Sequence, residues 1–208
     1  MNRIDISEAM ANAWRVFTRN LTPLVIGMLI SGVVTLISLG LLFGVMSAGF
    51  YVIVRKSFAG QEASVGDVFA GFQDFWRYFW GGWLAALLGV AGLFMCCVGV
   101  FLTAPIIQFM YALLVHGCGP TEAVSLSWSK FKTHTGGFFA LFFLCYALNV
   151  VGGFVPLAAF FTAPLGVCLT YAGYVQLFGV GDPHLPPAVL IPTVAEAPQY
   201  PSSTSSPE

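Results

Sequence analysis

LTPLVIGMLISGVVTLISLGLLFGVMSAGFYVIV, residues 21–54, is a run of 34 residues that contains no Asp, Glu, Lys or Arg. Two further stretches, residues 78–115 and 138–180, also lack these four residue types, over 38 and 43 residues. A helix that spans a bilayer needs about 20 apolar residues, so each stretch is too long for one span and too short for three. The three stretches therefore predict three helical hairpins, which together make six transmembrane helices.

Glycine and proline mark the expected turn of each hairpin. They lie at residues 39–40, 97–99 and 152–156, where they weaken helical continuity. All eight basic residues lie away from these turns, before the first hairpin or between hairpins: Arg3, Arg15, Arg19, Arg55, Lys56, Arg77, Lys130 and Lys132. Because Lys and Arg accumulate on the cytoplasmic side of a membrane, we expect both termini in the cytoplasm.

Composition supports the same class of protein. Apolar residues make up 58% of the chain and charged residues only 8%, which leaves too little polar surface to coat a soluble globule. The net charge of −1 provides no basic field, so nucleic acid is excluded as a partner. The N-terminus lacks an apolar signal region, and we expect no removed signal peptide.

An internal repeat divides the chain in the same way. Before each hairpin an acidic residue is followed by two aromatic residues three positions apart, and these pairs recur at spacings of 58 and 56: Trp14 and Phe17, Phe72 and Phe75, Trp128 and Phe131. A second marker lies in each returning helix, as Ser47-Ala48-Gly49, Thr103-Ala104-Pro105 and Thr162-Ala163-Pro164. Two markers at one period predict a membrane domain over residues 1–181, with repeats at about 4–60, 61–117 and 118–181.

The segments before the hairpins are predicted to form short amphipathic helices at the cytoplasmic interface. In the first, apolar side chains including Trp14 and Phe17 recur at helical spacing, while Glu8, Arg15 and Arg19 take the other face. Aromatic side chains at headgroup level anchor a helix to lipid, so all six paired aromatics are candidate anchors. The alternative is that the pairs pack against the ends of neighbouring hairpins, and the two roles are compatible.

The last 27 residues, 182–208, have a different composition. Seven of the chain's twelve prolines lie there, together with Ser-Ser-Thr-Ser-Ser near the end. This segment is predicted to be a disordered cytoplasmic tail. A role as an extended ligand for a proline-binding domain is the alternative.

The openings of the three repeats carry a family resemblance. They are Ile6-Ser7-Glu8-Ala9 through Trp14-Arg15-Val16-Phe17, Gly66-Asp67-Val68-Phe69-Ala70-Gly71-Phe72, and Glu122-Ala123-Val124-Ser125-Leu126-Ser127-Trp128. Over roughly residues 4–180 the chain resembles a broad group of mostly uncharacterised bacterial integral membrane proteins, which is similar to the membrane domain attached to some bacterial glycerophosphodiester phosphodiesterases. The resemblance implies a six-helix domain in a bacterial cytoplasmic (inner) membrane, without an established activity. The catalytic His and the metal-binding acidic residues of the soluble phosphodiesterase barrel have no counterpart here.

The residues themselves specify no reaction. No carboxylate lies inside an apolar stretch, which excludes intramembrane aspartyl and zinc proteases. A catalytic serine–histidine pair would have to combine Ser125, Ser127 or Ser129 with His116 or His134. None of these serines is flanked by glycine as the nucleophile of a hydrolase is. The five cysteines show no metal-binding or redox spacing, although Cys96 and Cys97 are adjacent and a disulfide between them is an alternative to simple packing. We therefore expect no enzyme activity, no metal and no cofactor.

Few polar side chains lie within the apolar stretches. Gln108, Asn149 and Gln176 are candidates for hydrogen bonds between helices, and Pro105 and Pro164 are candidate kinks. Ion-coupled transport is disfavoured because no ionisable carboxylate or cation lies within the predicted spans. The favoured function is a non-catalytic membrane module that binds lipid or partner proteins, including a second copy of itself. An uncoupled transporter or channel for a small or amphiphilic solute is the first alternative, and a hairpin wedge that shapes the membrane is the second.

Overall fold

The computed structural model describes residues 5–94, 98–154 and 156–178. Within these ranges the regular structure is entirely helical, which confirms the predicted all-α class. The helices are α1 (Ile6–Arg19), α2 (Leu21–Ile37), α3 (Phe43–Phe58), a 3₁₀ helix (Val65–Phe72), α4 (Phe75–Phe94), α5 (Val98–Val115), α6 (Pro120–Thr133), α7 (Thr135–Phe154) and α8 (Pro156–Phe178). The tail, residues 182–208, lies outside the described residues.

The long helices pack in antiparallel pairs. Gly27 of α2 faces Ile53 of α3, and the turn between these helices passes through Leu39 and Gly40, which both have positive φ. The predicted break at residues 39–40 is thereby confirmed. The other two pairs, α4 with α5 and α7 with α8, also pack along each other. Their ends fall beside the predicted breaks, although residues 95–97 and residue 155 lie outside the described residues.

The three returning helices form the centre of the bundle. Helices α3, α5 and α8 contact one another, and each outer helix packs between two of them: α2 between α3 and α8, α4 between α3 and α5, and α7 between α5 and α8. The short helices follow the same rule, since the 3₁₀ helix packs on α3, α6 on α5 and α1 on α8. Each short helix therefore packs against the returning helix of the preceding pair, and the first closes the ring against the last.

Local capping explains where the short helices begin. Asp5 accepts hydrogen bonds from the backbone N–H groups of Ser7 and Glu8 at 2.9 and 3.2 Å and caps α1. The backbone N–H of Ser64 donates to Asp67 at 2.9 Å in a capping box that starts the 3₁₀ helix. The acidic residue of each repeat thus lies in the first turn, where it also offsets the positive end of the helix dipole.

The middle short helix differs from the prediction. It is a 3₁₀ helix that ends at Phe72, so Phe75 belongs to the first turn of α4 rather than to an interfacial α-helix. This segment is in close backbone contact with α3: a Cβ on Gly49 would meet the Val68 backbone, and a Cβ on Gly71 would meet the carbonyl oxygen of Val45. The short segment follows the surface of α3 so closely that two glycines are required there.

Length and composition identify only some of the helices as membrane spans. Within the described residues, Thr135–Phe154 and Ala158–Phe178 are long and apolar enough to cross a bilayer. A third crossing is obtained if α1 and α2, which are bent by 88° relative to each other, are taken as one broken span. Helices α2 and α3 contain 17 and 16 residues, so each extends about 25 Å.

Candidate functional site

Charged side chains gather at one end of the bundle. In the described residues α2, α5, α7 and α8 carry no charged side chain, and those of α3 and α4 lie in the last turn of α3 and the first turn of α4. The guanidinium of Arg55, near the end of α3, donates to the carbonyl oxygen of Val115, the last residue of α5, at 2.8 Å. Gln176, near the end of α8, hydrogen-bonds the backbone of Asp5. We call this side of the molecule, with the ends of α3, α5 and α8, the charged end.

Two pairs of opposite charges stabilise the charged end. Lys56 binds Asp67 at 2.8 Å and so links α3 to the 3₁₀ helix. Burial raises the pKa of Asp67, but the hydrogen bonds from Lys56 and from the Ser64 backbone outweigh that effect, and the pKa lies below its usual range. Arg77 binds Asp74 at 2.7 Å in a more exposed pair.

His116 lies between the returning helices at the charged end. Its Nε2 is 2.9 Å from the hydroxyl of Tyr171, and its ring stacks on Tyr174. Burial, together with the positive charge of Arg55, lowers the pKa of His116 from 6.5 to about 4. The imidazole is therefore neutral at physiological pH, and the geometry gives it a packing and hydrogen-bonding role.

The outer helices expose a large apolar surface. Leu36 and Ile37 on α2 are each 77% exposed, and Leu87 and Leu93 on α4 are each 63% exposed. Val151 on α7 extends the same surface, since its side chain is 62% exposed. A large exposed apolar surface marks contact with a membrane or another protein.

A row of tryptophans on α4 was missed by the sequence reasoning. Trp76, Trp80 and Trp83 are all exposed and recur at i, i+4 and i+7, so they share one outward face. Phe75 and Phe79 pack beside them at ring-centroid distances between 5.4 and 6.3 Å. The helical spacing of the tryptophans in the sequence was the available signal.

The structure divides the six predicted anchor residues into two groups. Trp14, Phe72 and Trp128, the first members of the pairs, are exposed. Phe17 and Phe131 are buried against the core and Phe75 is partly buried, so these second members pack within the protein. The two roles weighed from the sequence, lipid contact and packing, thus belong to different members of each pair.

The three polar candidates do not form one site. Gln176 hydrogen-bonds across to α1, whereas the Nδ2 of Asn149 donates to the carbonyl oxygen of Cys145 on its own helix, at 2.8 Å. Gln108 accepts a hydrogen bond from the hydroxyl of Tyr51 through its backbone carbonyl at 3.1 Å, while its buried side-chain Oε1 has no partner in the described part of the chain.

The second repeat marker has a packing role. A Cβ on Gly92 would lie 2.5 Å from the Oγ1 of Thr103, and a Cβ on Gly152 would meet the Oγ1 of Thr162. Each threonine therefore packs against a glycine of the outgoing helix of its own pair. Pro105 and Pro164 follow two residues later, inside the continuous helices α5 and α8.

A groove opens between α4, α5 and α6. It encloses about 320 Å³ and is lined by Leu88 from α4, by Thr103 and Ile106 from α5, and by Val124, Ser125 and Trp128 from α6. Its walls are mainly aliphatic and aromatic, which suits an apolar ligand.

The described residues offer few groups for other chemistry. Among them no three His, Cys, Asp or Glu side chains lie close enough together to hold a metal ion. Cys118, Cys145 and Cys168 are free thiols and buried, while Cys96 and Cys97 lie outside the described residues. No family model, curated protein or solved structure matches the chain.

Proposed function

We propose that this chain is a non-catalytic multi-pass module of a bacterial inner membrane that binds lipid. In this proposal α2 to α5, α7 and α8 cross the bilayer as three hairpins, and α1, the 3₁₀ helix and α6 lie at the cytoplasmic interface. Its partners are membrane lipids and, at the apolar outer surface, a second copy or another membrane protein. We further propose that it belongs with the bacterial membrane proteins that its repeat openings resemble.

One observation carries the proposal: the outer helices expose apolar side chains along their length, while the charged side chains of the described residues lie on the short helices and at one end of the bundle. Full burial of a large apolar side chain contributes about 1.5–3 kcal/mol, so more than twenty such side chains that are 37–91% exposed favour a surrounding of lipid. The basic residues at the charged end favour its placement in the cytoplasm.

The first hairpin is the weakest fit to a full crossing. Its helices extend about 25 Å, against a hydrocarbon core of about 30 Å. Local thinning of the bilayer accommodates a mismatch of this size. The alternative, in which this hairpin enters one leaflet as a wedge, makes a different prediction for its exposed turn.

Cysteine labelling tests the topology. Cys118 is buried and is a poor reporter, so the reporters are Leu41→Cys at the exposed turn of the first pair and Gln61→Cys after α3, each in a background without native cysteines. In intact cells we expect an impermeant thiol reagent to reach the first variant and to spare the second. Labelling of both variants after lysis is the control. Protection of both in intact cells supports the wedge, and external labelling of Gln61→Cys overturns the proposed orientation.

An uncoupled transporter or channel is the second candidate function. It is favoured by the buried Oε1 of Gln108, which has no hydrogen-bond partner among the described residues, since a polar atom within an apolar bundle is a contact for a passing solute. Purified protein in liposomes separates the two functions. Solute flux that is lost in Gln108→Leu supports transport if it is kept in Gln73→Leu, which changes an exposed residue. Lipid binding without flux supports the membrane module.

A further inference from the structure

The groove between α4, α5 and α6 arises from the way α6 packs. Ala123, Ser127 and Phe131 of α6 are buried and form its inner face. Thr121, Val124, Ser125 and Trp128 recur at i, i+3, i+4 and i+7 and form a second face that lines the groove. Because this second face does not close on Leu88 of α4, a gap remains between the short helix and the outer helix.

The walls of the groove match a hydrocarbon chain. Leu88, Ile106 and Val124 supply aliphatic surface, and the ring of Trp128 supplies a flat aromatic wall. The hydroxyl of Ser125 donates to the carbonyl oxygen of Glu122 on its own helix at 2.8 Å. This hydroxyl therefore needs no hydrogen-bond acceptor from a ligand. Hydrophobic contact is the interaction that the interior of the groove offers.

A positive charge lies at the rim. The Nζ of Lys132 is 5.3 Å from the centroid of the ring of Trp128, the residue that forms one wall of the groove. Lys132 is exposed and forms no ion pair with any described carboxylate. An occupant with an apolar chain and an anionic group complements this combination of an aliphatic groove and an exposed cation.

We infer that the groove holds one acyl chain of an anionic phospholipid from the surrounding bilayer, with the headgroup phosphate beside Lys132. The inference rests on the proposed function, because it requires α4, α5 and α6 to lie in a membrane. It adds selectivity: zwitterionic lipids fill the outer surface without preference, whereas this groove selects for negative charge.

Tryptophan fluorescence tests the selectivity, because Trp128 is itself a wall of the groove. The variant used retains only Trp128. The other four tryptophans, which are all exposed in the native protein, are replaced by Phe. The protein is reconstituted in phosphatidylcholine vesicles with a minor fraction of phosphatidylglycerol, and bromine on the acyl chains of one lipid or the other is the quencher. An ion pair with one lysine favours the anionic lipid about fivefold, so brominated phosphatidylglycerol should quench Trp128 more strongly than its share of the bilayer predicts.

Matched variants separate the groove from the bulk bilayer. Lys132→Gln should abolish the preference, whereas Arg15→Gln, which removes an exposed cation on α1, should keep it. A variant that retains only Trp83, on the outer face of α4, should be quenched by each lipid in proportion to its abundance. Ser125→Phe, which fills the groove, should reduce quenching of Trp128 by either lipid.

Two outcomes overturn the inference while the proposed function stands. The first is quenching of Trp128 in proportion to abundance, which shows a groove without selectivity. The second is protection of Trp128 from both lipids while Trp83 is quenched, which shows that protein and not lipid fills the groove. If neither Trp83 nor Trp128 is quenched, the helices are not in contact with acyl chains and the proposed function itself fails.

Discussion

Arg55 donates from Nη1 to the carbonyl oxygen of Val115 at 2.8 Å, which joins the last turn of α3 to the final residue of α5. The last carbonyl groups of a helix have no partner within the helix and carry the negative end of its dipole, so a cation is well placed there. No carboxylate of the described residues forms an ion pair with Arg55. The residue thus acts as a cap that connects two of the three central helices.

Replacement of Arg55 should therefore destabilise the bundle. Arg55→Gln removes a charged hydrogen bond and a favourable dipole interaction, and we expect the free energy of unfolding to fall by about 1.5–3 kcal/mol. Denaturant titration in detergent micelles measures the change. Arg15→Gln is the control, because Arg15 is exposed on α1 and its replacement should cost less than about 0.5 kcal/mol. Equal effects of the two variants would show that the bond to Val115 contributes nothing.

The contact of Lys56 with Asp67 should matter more than the contact of Arg77 with Asp74. Asp67→Asn removes both an ion pair and half of a capping box, and we expect a loss of about 1–2 kcal/mol. The side chain of Asp74 is 56% exposed, so Asp74→Asn should cost no more than about 0.5 kcal/mol. The pKa of Asp67 is lowered in the folded protein. Its contribution to the free energy of unfolding should therefore be complete above the ordinary carboxyl pKa, and it should be lost as the pH falls through the lower pKa of the folded state. Unfolding of the two variants at neutral and acidic pH measures this difference.

His116 should make the protein sensitive to mild acid. The folded protein binds a proton on this ring less tightly than the unfolded chain does, since the pKa is lowered from 6.5 to about 4. The free energy of unfolding should therefore decrease as the pH falls from about 6.5 to about 4, by on the order of 2 kcal/mol after partial exposure of the ring is taken into account.

A substitution assigns that pH dependence to the histidine. His116→Gln should flatten the profile over this range and can still hydrogen-bond the hydroxyl of Tyr171. His134→Gln should leave the slope in place. A slope that survives in His116→Gln would place the titration elsewhere in the protein.

Helix positions followed closely from the sequence, because the apolar stretches and their glycine and proline breaks act locally. Gly40 takes the positive φ of the first turn, and Ser64 with Asp67 forms a capping box, so both features lie where the residue types favour them. The number of membrane crossings did not follow from the sequence in the same way. It depends on the depth at which each helix lies in lipid, and helix length and composition identify α7 and α8 more clearly than the rest.

The lateral arrangement could not be predicted, because it depends on contacts between distant parts of the chain. Nothing in the periodicity indicated that α1 would pack against α8, 171 positions away at the bond between Asp5 and Gln176. The same holds for the groove, which depends on how far α6 lies from Leu88. Burial of Phe17 and Phe131, in contrast to exposure of Trp14 and Trp128, also follows from these distant contacts.

Close packing of the 3₁₀ helix against α3 should make Gly49 intolerant of any side chain. A Cβ at this position would lie 2.7 Å from the carbonyl carbon of Val68 and still closer to its oxygen. Backbone atoms cannot rotate away as a side chain can, so Gly49→Ala should separate the two helices and cost about 1–3 kcal/mol or more. Gly32→Ala on α2 is the matched control, because among the described residues nothing beyond the adjacent part of α2 itself lies within 4 Å of the added Cβ, and the change should stabilise the helix by up to about 1 kcal/mol. Opposite signs for the two substitutions in denaturant titrations are the expected result, and a neutral Gly49→Ala would show that α3 and the 3₁₀ helix are not in backbone contact.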